Sequence, residues 1–350
     1  MHWIAALTLA VGFRQVMVGP MAVNIWYPSD GQPAHVPAGL YSQAVVVNGP
    51  IRGRDLPLIV MSHGVSGSGF SDYNVALALA SAGYVVAAAT HPGDNYQDQS
   101  AAGKSQNLID RPHHMHRLVD YMVAHWPVDA KRIGAFGFSL GGFTALVLAG
   151  GTPDLRQSAR LCLERPDAPE CAFVAERHGN PLDSTAVSDS VWDHNARIQA
   201  VALASPAVLV MFRSGGLRDV HVPVLMWRGT ADPNAPDAWN AAVVRSGLPT
   251  PPEEHVVPNA GHFVFTPVCS DATAKQVPFL CDDPPGVDRA VVLRQFEPSV
   301  VAFFDAHITS RLAPRHRVRR AAHSQRVTRK APEIVPMRQR STVQCARAPR

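Results

Sequence analysis

The feature that most constrains this chain is the pentapeptide Gly-Phe-Ser-Leu-Gly at residues 137–141. An apolar strand pattern precedes it at 132–136, and an apolar helix pattern follows it at 142–149. A serine on a sharp strand-to-helix turn needs neighbours without side chains, because the chain packs closely on both sides of it. The N-terminus of the helix also favours negative charge that develops beside it. The pattern predicts that Ser139 is a nucleophile, and the alternative is that Ser139 only caps the helix.

Buried apolar segments alternate with helical segments along most of the chain. Strands are predicted at 12–18, 22–27, 56–61, 84–89, 133–138, 198–204, 222–227 and 254–257, and helices at 73–82, 111–125, 140–149, 236–246 and within 287–307. This alternation predicts an α/β fold with a mostly parallel central sheet and helices on both faces. Residues 31–53 are predicted to be rich in loops. Residues 150–196, rich in proline and aspartate, are predicted to form a cap-like insertion after the nucleophile helix.

Charge separates the body of the chain from its end. Residues 311–350 hold 12 of the 32 Lys and Arg residues and a single acid, Glu333, which leaves 20 basic and 27 acidic residues in 1–310. Because the end lacks a hydrophobic period, we predict one folded domain at 12–309 and a disordered basic tail at 310–350. The tail is interpreted as a solvated extension without a specific nucleic-acid partner. Weak contact with an anionic surface is the alternative.

The first eleven residues fit two interpretations. Residues 4–11 are apolar like part of a signal peptide, but no charged segment precedes them. They are either a signal-peptide remnant or the first strand of the fold. No 18-residue apolar span occurs in the chain, so no transmembrane helix is predicted.

Four of the five cysteines form two local pairs in irregular segments, namely Cys162 with Cys171 and Cys269 with Cys281, whereas Cys345 lies in the tail. Such pairs favour two disulfides that staple loops, and hence a periplasmic or secreted protein. Four free thiols in a cytoplasmic enzyme are the alternative. Zinc is disfavoured, because the spacings match no common ligand pattern.

Several candidate catalytic groups follow predicted strands. His63 follows the strand at 56–61, Ser139 the strand at 133–138, Asp232 the strand at 222–227, and His262 the last strand. Reactive groups of open α/β sheets gather at the carboxyl ends of the strands. The order Ser, Asp, His therefore predicts a catalytic triad of Ser139, Asp232 and His262. Asp237 is the fallback for the acid.

The groups around this triad have predicted roles as well. The backbone N–H groups of Val65 and Leu140 are expected to form an oxyanion hole. The predicted substrate pocket comprises His63, Gly64, His91 and Phe138. Of these, His63 is expected to support the oxyanion loop rather than titrate in the reaction, and His91 alternatively closes a turn. The histidines at 113, 114 and 116 are interpreted as an exposed polar helix face, because no third metal ligand is evident.

These segments together resemble an α/β-hydrolase, specifically the dienelactone-hydrolase-like group related to platelet-activating-factor acetylhydrolases. The resemblance covers residues 12–309. It is carried by Ile-Trp-Tyr-Pro at 25–28, Ser-His-Gly at 62–64, His-Pro-Gly-Asp at 91–94, Gly-Phe-Ser-Leu-Gly-Gly at 137–142, Gly-His-Phe at 261–263, the segment 281–289 and the paired-cysteine loop after the nucleophile helix. It implies a serine esterase for a short-acyl lipid or another small ester, with no cofactor or metal.

Two departures from that group matter. Dienelactone hydrolases use a cysteine nucleophile, so Ser139 argues against dienelactone as the substrate. In the plasma acetylhydrolases the acid follows the preceding strand, where residues 202–206 carry no carboxylate, and Asp232 is chosen for that reason. The sequence thus predicts a serine hydrolase of carboxylic esters. A peptidase, an acyltransferase or a catalytically silent binding protein on the same fold are the alternatives.

Overall fold

A computed structural model describes residues 10–168, 171–172, 175, 192–213 and 215–309. The predicted disordered tail at 310–350 and most of the predicted signal-peptide remnant at 1–11 lie outside the described residues. Ala10 and Val11, however, belong to the first strand. Among the described residues, no helix is both long and apolar enough to cross a membrane.

The described residues form a ten-stranded sheet. Its strands are β1 (Ala10–Val18), β2 (Met21–Ser29), β3 (Ala34–Ala38), β4 (Tyr41–Val47), β5 (Leu56–Ser62), β6 (Val85–Thr90), β7 (Val128–Phe138), β8 (Ile198–Ala204), β9 (Val224–Gly229) and β10 (Glu253–Val257). Their order across the sheet is β10-β9-β8-β7-β5-β6-β2-β1-β4-β3. The six strands from β10 to β6 all pair in parallel, and β2 joins β6 antiparallel. The predicted mostly parallel sheet is therefore correct.

The antiparallel end of the sheet corrects one prediction. Residues 31–53 were expected to be rich in loops, but β3 and β4 form a hairpin there, and β4 pairs in parallel with β1. Strand β3 is short, holds Pro37 and lies at the edge of the sheet. Proline is tolerated in edge strands, because its missing N–H faces away from the neighbouring strand.

Helices cover the sheet in the described part of the chain. They are α1 (Tyr73–Ser81), α2 (Ser105–His125), α3 (Leu140–Leu148), α4 (Leu155–Glu164), α5 (Ala241–Gly247), α6 (Asp271–Gln276), α7 (Pro278–Cys281) and α8 (Arg289–Phe304). Helix α2 begins six residues before its predicted start, because the chain continues through Pro112 at the cost of one backbone hydrogen bond. The helix predicted at 236–246 is a 3₁₀ turn at Asp237–Trp239 followed by α5.

The core consists of two apolar layers, one on each face of the sheet. Along β5, Leu58 and Val60 pack into the layer that holds α2 and α3, whereas Ile59 and Met61 pack into the layer with α1 and α8. Successive side chains of a strand point to opposite faces, so a strand covered on both faces is a continuous apolar run. This arrangement leaves the carboxyl ends of the parallel strands as the place for polar groups.

Both expected disulfides are present. Cys162 is bonded to Cys171, and Cys269 is bonded to Cys281. The first pair begins in α4, inside the predicted insertion at 150–196, much of which lies outside the described residues. The second pair encloses α6 and most of α7.

Candidate active site

Ser139 occupies the single residue between β7 and α3, and its backbone is strained. Its φ of 53° and ψ of −121° are values that residues other than glycine rarely adopt. Its N–H donates to the carbonyl of Ala204 at 3.0 Å, and its carbonyl accepts from the amides of Gly142 and Ala207 at 2.8 and 3.1 Å. These hydrogen bonds hold the residue in the unfavourable conformation, which is the turn that the pentapeptide predicted.

The two glycines of the pentapeptide are required by close backbone packing. A Cβ atom on Gly137 would lie 2.1 Å from the carbonyl oxygen of Gly141, and a Cβ on Gly141 would lie 1.8 Å from that of Ser62. Both distances are far below van der Waals contact. Any side chain at either position would push the start of α3 away from the ends of β5 and β7 and displace Ser139.

The hydroxyl of Ser139 lies at one end of a hydrogen-bonded chain of three side chains. Its Oγ is 2.9 Å from Nε2 of His262, and Nδ1 of the same ring is 2.7 Å from Oδ2 of Asp232. The side chains of His262 and Asp232 are 5% and 4% exposed. A proton on Nδ1 that is donated to the carboxylate leaves Nε2 free to accept the hydroxyl proton, which is the tautomer that a general base requires.

Asp232 is the carboxylate that reaches the histidine. Its other oxygen, Oδ1, accepts the backbone N–H groups of Asn234 and Ala235, each at 2.9 Å, so the turn after β9 fixes the carboxylate. The fallback residue, Asp237, instead forms two hydrogen bonds to Arg245 at 2.9 and 2.7 Å.

The family model described as "Alpha/beta hydrolase family" matches residues 59–276, a span that includes all three of these side chains. The chain belongs to the alpha/beta hydrolase family. Among solved structures, a ferulic acid esterase from Streptomyces cinnamoneus is similar over 89% of this chain and 93% of that chain, with 18% identity and a TM-score of 0.59. At that identity the likeness supports the fold, and the predicted α/β-hydrolase architecture is confirmed. No curated protein matches this sequence.

The two predicted oxyanion donors of this alpha/beta hydrolase flank Ser139. Leu140 is the first residue of α3, and Val65 belongs to the loop that follows β5. That loop touches the serine, because a Cβ on Gly64 would lie 3.1 Å from the Cβ of Ser139. Within the described ranges, neither the Val65 amide nor the Leu140 amide donates a hydrogen bond to the protein. Both N–H groups therefore remain for a ligand.

A buried ion pair holds the loop that follows β5, which carries the predicted oxyanion donor Val65. The guanidinium of Arg111 donates to the carbonyls of His63 and Gly64 at 2.7 and 3.1 Å, and its Nε donates to Asp94 at 3.1 Å. Asp94 in turn accepts the Ser66 N–H at 2.8 Å. The ion pair thus binds the backbone on both sides of Val65, at the carbonyls of His63 and Gly64 and at the amide of Ser66. These contacts fix the position of the Val65 amide.

The charge state of this pair follows from its surroundings. Burial raises the pKa of Asp94, but the charge of Arg111 and hydrogen bonds from Ser66 and Asn107 outweigh burial, so the pKa lies below its ordinary value. Burial also lowers the pKa of Arg111, and the Asp94 carboxylate opposes that shift. The pair is ionised, as its fork of charge-assisted hydrogen bonds requires.

Two predicted pocket residues, His63 and His91, belong to a buried histidine network. Burial, followed by the charge of Arg111, lowers the pKa of His63 to about 3 and that of His91 well below its ordinary value. His63 accepts the His91 N–H at Nε2 (3.1 Å), so its proton lies on Nδ1 and is donated to the carbonyl of Gly64 at 2.6 Å. His63 is therefore a neutral ring that is hydrogen-bonded to the loop after β5, which is the arrangement that the predicted supporting role requires.

His91 extends this network to Ser62 and His114. Its Nε2 is 2.9 Å from the hydroxyl of Ser62, and its Nδ1 is 3.3 Å from Nδ1 of His114. The side chain is fully buried. Burial also lowers the pKa of His114 to about 4.

The other two histidines of the 113–116 cluster contact a carboxylate. Nδ1 of His113 and Nδ1 of His116 lie 2.9 and 2.6 Å from the two oxygens of Asp193. Among the described residues, no group of three or more His, Cys, Asp or Glu side chains is arranged to hold a metal ion.

Phe138, the residue before Ser139, contacts His262. Its ring centroid lies 5.1 Å from that of His262 and 6.1 Å from that of Phe263. Phe138 is buried, whereas Phe263 is half-buried and lies on the 3₁₀ turn that begins at His262.

Sequence reasoning missed Arg111 and Asn107. Both lie on α2, and a fully buried arginine is rarely found without a partner. The sequence signal is the arginine two turns before the apolar stretch of α2 together with the aspartate in His-Pro-Gly-Asp at 91–94. Nothing in the local pattern, however, states that these two charges meet beneath residues 63–66.

Proposed function

We propose that this alpha/beta hydrolase is a serine hydrolase that cleaves carboxylic esters through an acyl-enzyme. The observation that carries the proposal is the chain Ser139–His262–Asp232, with contacts of 2.9 and 2.7 Å, on a serine with a positive φ. Nucleophile, base and orienting acid are within the distances that acyl transfer requires.

In the acylation step, the Ser139 Oγ forms a bond to the ester carbonyl carbon while its proton passes to Nε2 of His262. The carbonyl oxygen becomes an oxyanion, and the N–H groups of Val65 and Leu140 donate to it. Asp232 stabilises the imidazolium that forms. The tetrahedral intermediate then expels the alcohol oxygen, which takes the proton from His262, and an acyl-Ser139 ester remains.

Deacylation repeats this sequence with water. His262 removes a proton from water as the water oxygen bonds to the acyl carbon, and the second oxyanion binds the same two amides. The bond to Ser139 breaks, the serine oxygen recovers the proton from His262, and the carboxylic acid leaves.

A short-acyl lipid ester or another small neutral ester is the proposed substrate class. The resemblance to the acetylhydrolase group supports this choice. The residues around the nucleophile, 63–66 and 138–140, support it as well, because none of them carries a charged side chain and the ring of His63 is neutral. The similarity in fold to a ferulic acid esterase adds aromatic esters to the compounds worth testing. The paired cysteines support a periplasmic or secreted protein.

Hydrolysis of a p-nitrophenyl ester series from acetate to palmitate tests this function, with Ser139→Ala as the control. We expect activity in the wild-type protein and none in the variant. The dependence of activity on acyl-chain length then indicates the size of the acyl-binding site. Labelling by a serine-directed fluorophosphonate reports on the nucleophile independently of the choice of ester. An active Ser139→Ala protein, or a wild-type protein that neither turns over esters nor takes up the label, would contradict the proposal.

A further inference from the structure

Two phenylalanine rings, Phe263 and Phe279, continue outward from the catalytic histidine. The ring centroids of His262 and Phe263 are 5.0 Å apart with planes at 87°, and those of Phe263 and Phe279 are 5.8 Å apart at 71°. These edge-to-face contacts have the geometry that aromatic pairs prefer. The outer ring, Phe279, is 63% exposed. We call Phe263 and Phe279 the phenylalanine wall.

The segment that carries the phenylalanine wall is held firmly. Helix α7, which contains Phe279, ends at Cys281, whose disulfide to Cys269 closes the loop. Arg289 donates to both oxygens of Asp283 at 2.9 and 3.0 Å and to the hydroxyl of Thr266 at 3.2 Å. Phe279 is therefore exposed on a segment that the disulfide and the contacts of Arg289 hold in place. An exposed apolar surface near a reactive group indicates a binding site for a ligand.

The position of the wall relative to His262 decides which part of an ester would reach it. His262 must deliver its proton to the leaving oxygen, so the alcohol oxygen lies at Nε2 in the step that breaks the ester bond. An alcohol group that extends past the imidazole would meet Phe263, whose ring contacts that of His262 edge to face. The acyl group, in contrast, stays bonded to Ser139.

We infer that the phenylalanine wall binds the leaving alcohol of the ester, and that this alcohol is neutral and apolar, with an aromatic ring or a bulky alkyl group. Helix α7, which carries Phe279, has no charged side chain; Asp282 and Asp283 follow it, and Asp283 is paired with Arg289. The ring of Phe279 itself offers only an apolar contact, which suits an uncharged group. The inference rests on the proposed esterase function and adds to it the chemical class of the leaving group.

The isomers 2-phenylethyl acetate and ethyl phenylacetate test the inference, because they place the same phenyl group on the alcohol side and on the acyl side. We expect Phe279→Ala to lower kcat/KM for 2-phenylethyl acetate about fivefold, the size of one lost aromatic contact. For ethyl phenylacetate and for ethyl acetate, kcat/KM is expected to stay within about twofold of wild type, since neither carries a large alcohol.

Two further variants make the result specific. Phe279→Leu keeps an apolar side chain and should recover part of the loss. Met17→Ala removes another exposed apolar side chain, on β1, four strands from β7, and should change none of the three rates.

The outcomes separate this inference from the proposed function. Equal losses for the two isomers, no loss for either, or a loss confined to ethyl phenylacetate would each overturn the assignment of the wall to the alcohol while leaving the esterase function intact. A wild-type protein that hydrolyses none of the three esters and fails to bind fluorophosphonate would overturn both.

Discussion

Arg111 and Asp94 form an ion pair in which both side chains have no exposed surface, with Nη2 2.9 Å from Oδ2. An ion pair removed from water gains little net stability, because desolvation offsets most of the attraction between the charges. Its value here lies in orientation, since the same two side chains hold residues on both sides of Val65. The pair links α2 to the proposed oxyanion hole.

Arg111→Gln should lower kcat by about 100-fold with a small change in KM, because a displaced oxyanion donor weakens transition-state binding more than substrate binding. Arg111→Lys retains the charge but not the planar, forked guanidinium, so its kcat should lie between those of Arg111→Gln and wild type. Steady-state kinetics measure this split, and fluorophosphonate titration gives the concentration of folded sites. Arg117→Gln, an exposed arginine of the same helix, is the control. Wild-type kcat in folded Arg111→Gln would contradict a positioning role.

Asp232→Asn should lower kcat by about 10⁴-fold while leaving the fold intact, because an amide at this position no longer fixes the required tautomer of His262. Asp237→Asn should keep activity within about twofold, since Asp237 pairs with Arg245 outside the triad. Kinetics of the two variants side by side decide which carboxylate acts. A reversed ranking would assign the acid to Asp237.

Asp72→Asn should stabilise the protein above neutral pH. Asp72 is 5% exposed, its Oδ1 has no hydrogen-bond partner among the described residues, and burial raises its pKa to about 7. The folded protein therefore holds a proton that the unfolded chain has lost above its ordinary pKa near 3.8. This contribution to stability is complete below that pH and is lost as the pH rises through about 7.

Urea unfolding at pH 4 and pH 8 measures the effect. The free energy of unfolding of Asp72→Asn should exceed that of wild type by more than about 1 kcal/mol at pH 8, and the two should converge at pH 4. Asp219→Asn, which changes an exposed aspartate, should track wild type at both values. If the free energies of unfolding of Asp72→Asn and wild type differed by the same amount at pH 4 and pH 8, Asp72 would be ionised in the folded protein at both pH values.

The two disulfides should differ in their effect on catalysis. Replacing either pair by serine is expected to cost about 2–4 kcal/mol of stability, because each bond closes a short loop. Only the Cys269→Ser/Cys281→Ser protein should also lose kcat/KM, since its loop begins seven residues after His262 and carries Phe279. The Cys162→Ser/Cys171→Ser protein is the matched control, and thermal melts with kinetics at 25 °C compare the two. Equal values of kcat/KM for the two variants would show that the Cys269–Cys281 disulfide has no effect on the active site.

The parallel strands and two of the proposed catalytic residues, Ser139 and His262, could be predicted from the sequence, because local patterns indicate them. Leu58 to Met61 is a continuous apolar run, and glycines flank Ser139 where no other residue fits. The hairpin of β3 and β4 was missed because its strands are short and proline and glycine interrupt them. Such a pattern is typical of a loop, even where the segment adds strands to an existing sheet.

Long-range charge pairing was the larger omission. Arg111 reaches Asp94 across 17 residues and the carbonyl of His63 across 48. Periodicity within α2 shows that position 111 is near the buried face, but the partner that makes burial tolerable comes from another loop. Likewise, the sequence left Asp232 and Asp237 as alternatives because only the conformation of the turn after β9 decides which one meets His262.

The hydrogen bond between Ser139 and His262 joins positions 123 residues apart in the chain. Such a contact forms only after the loop between its ends has closed, and parallel strands pair slowly for the same reason. The bond further requires β7, β9 and β10 to have reached their final order. Recovery of the proposed esterase activity during refolding should therefore lag behind the recovery of helix signal, and turnover would report the completion of the parallel half of the sheet.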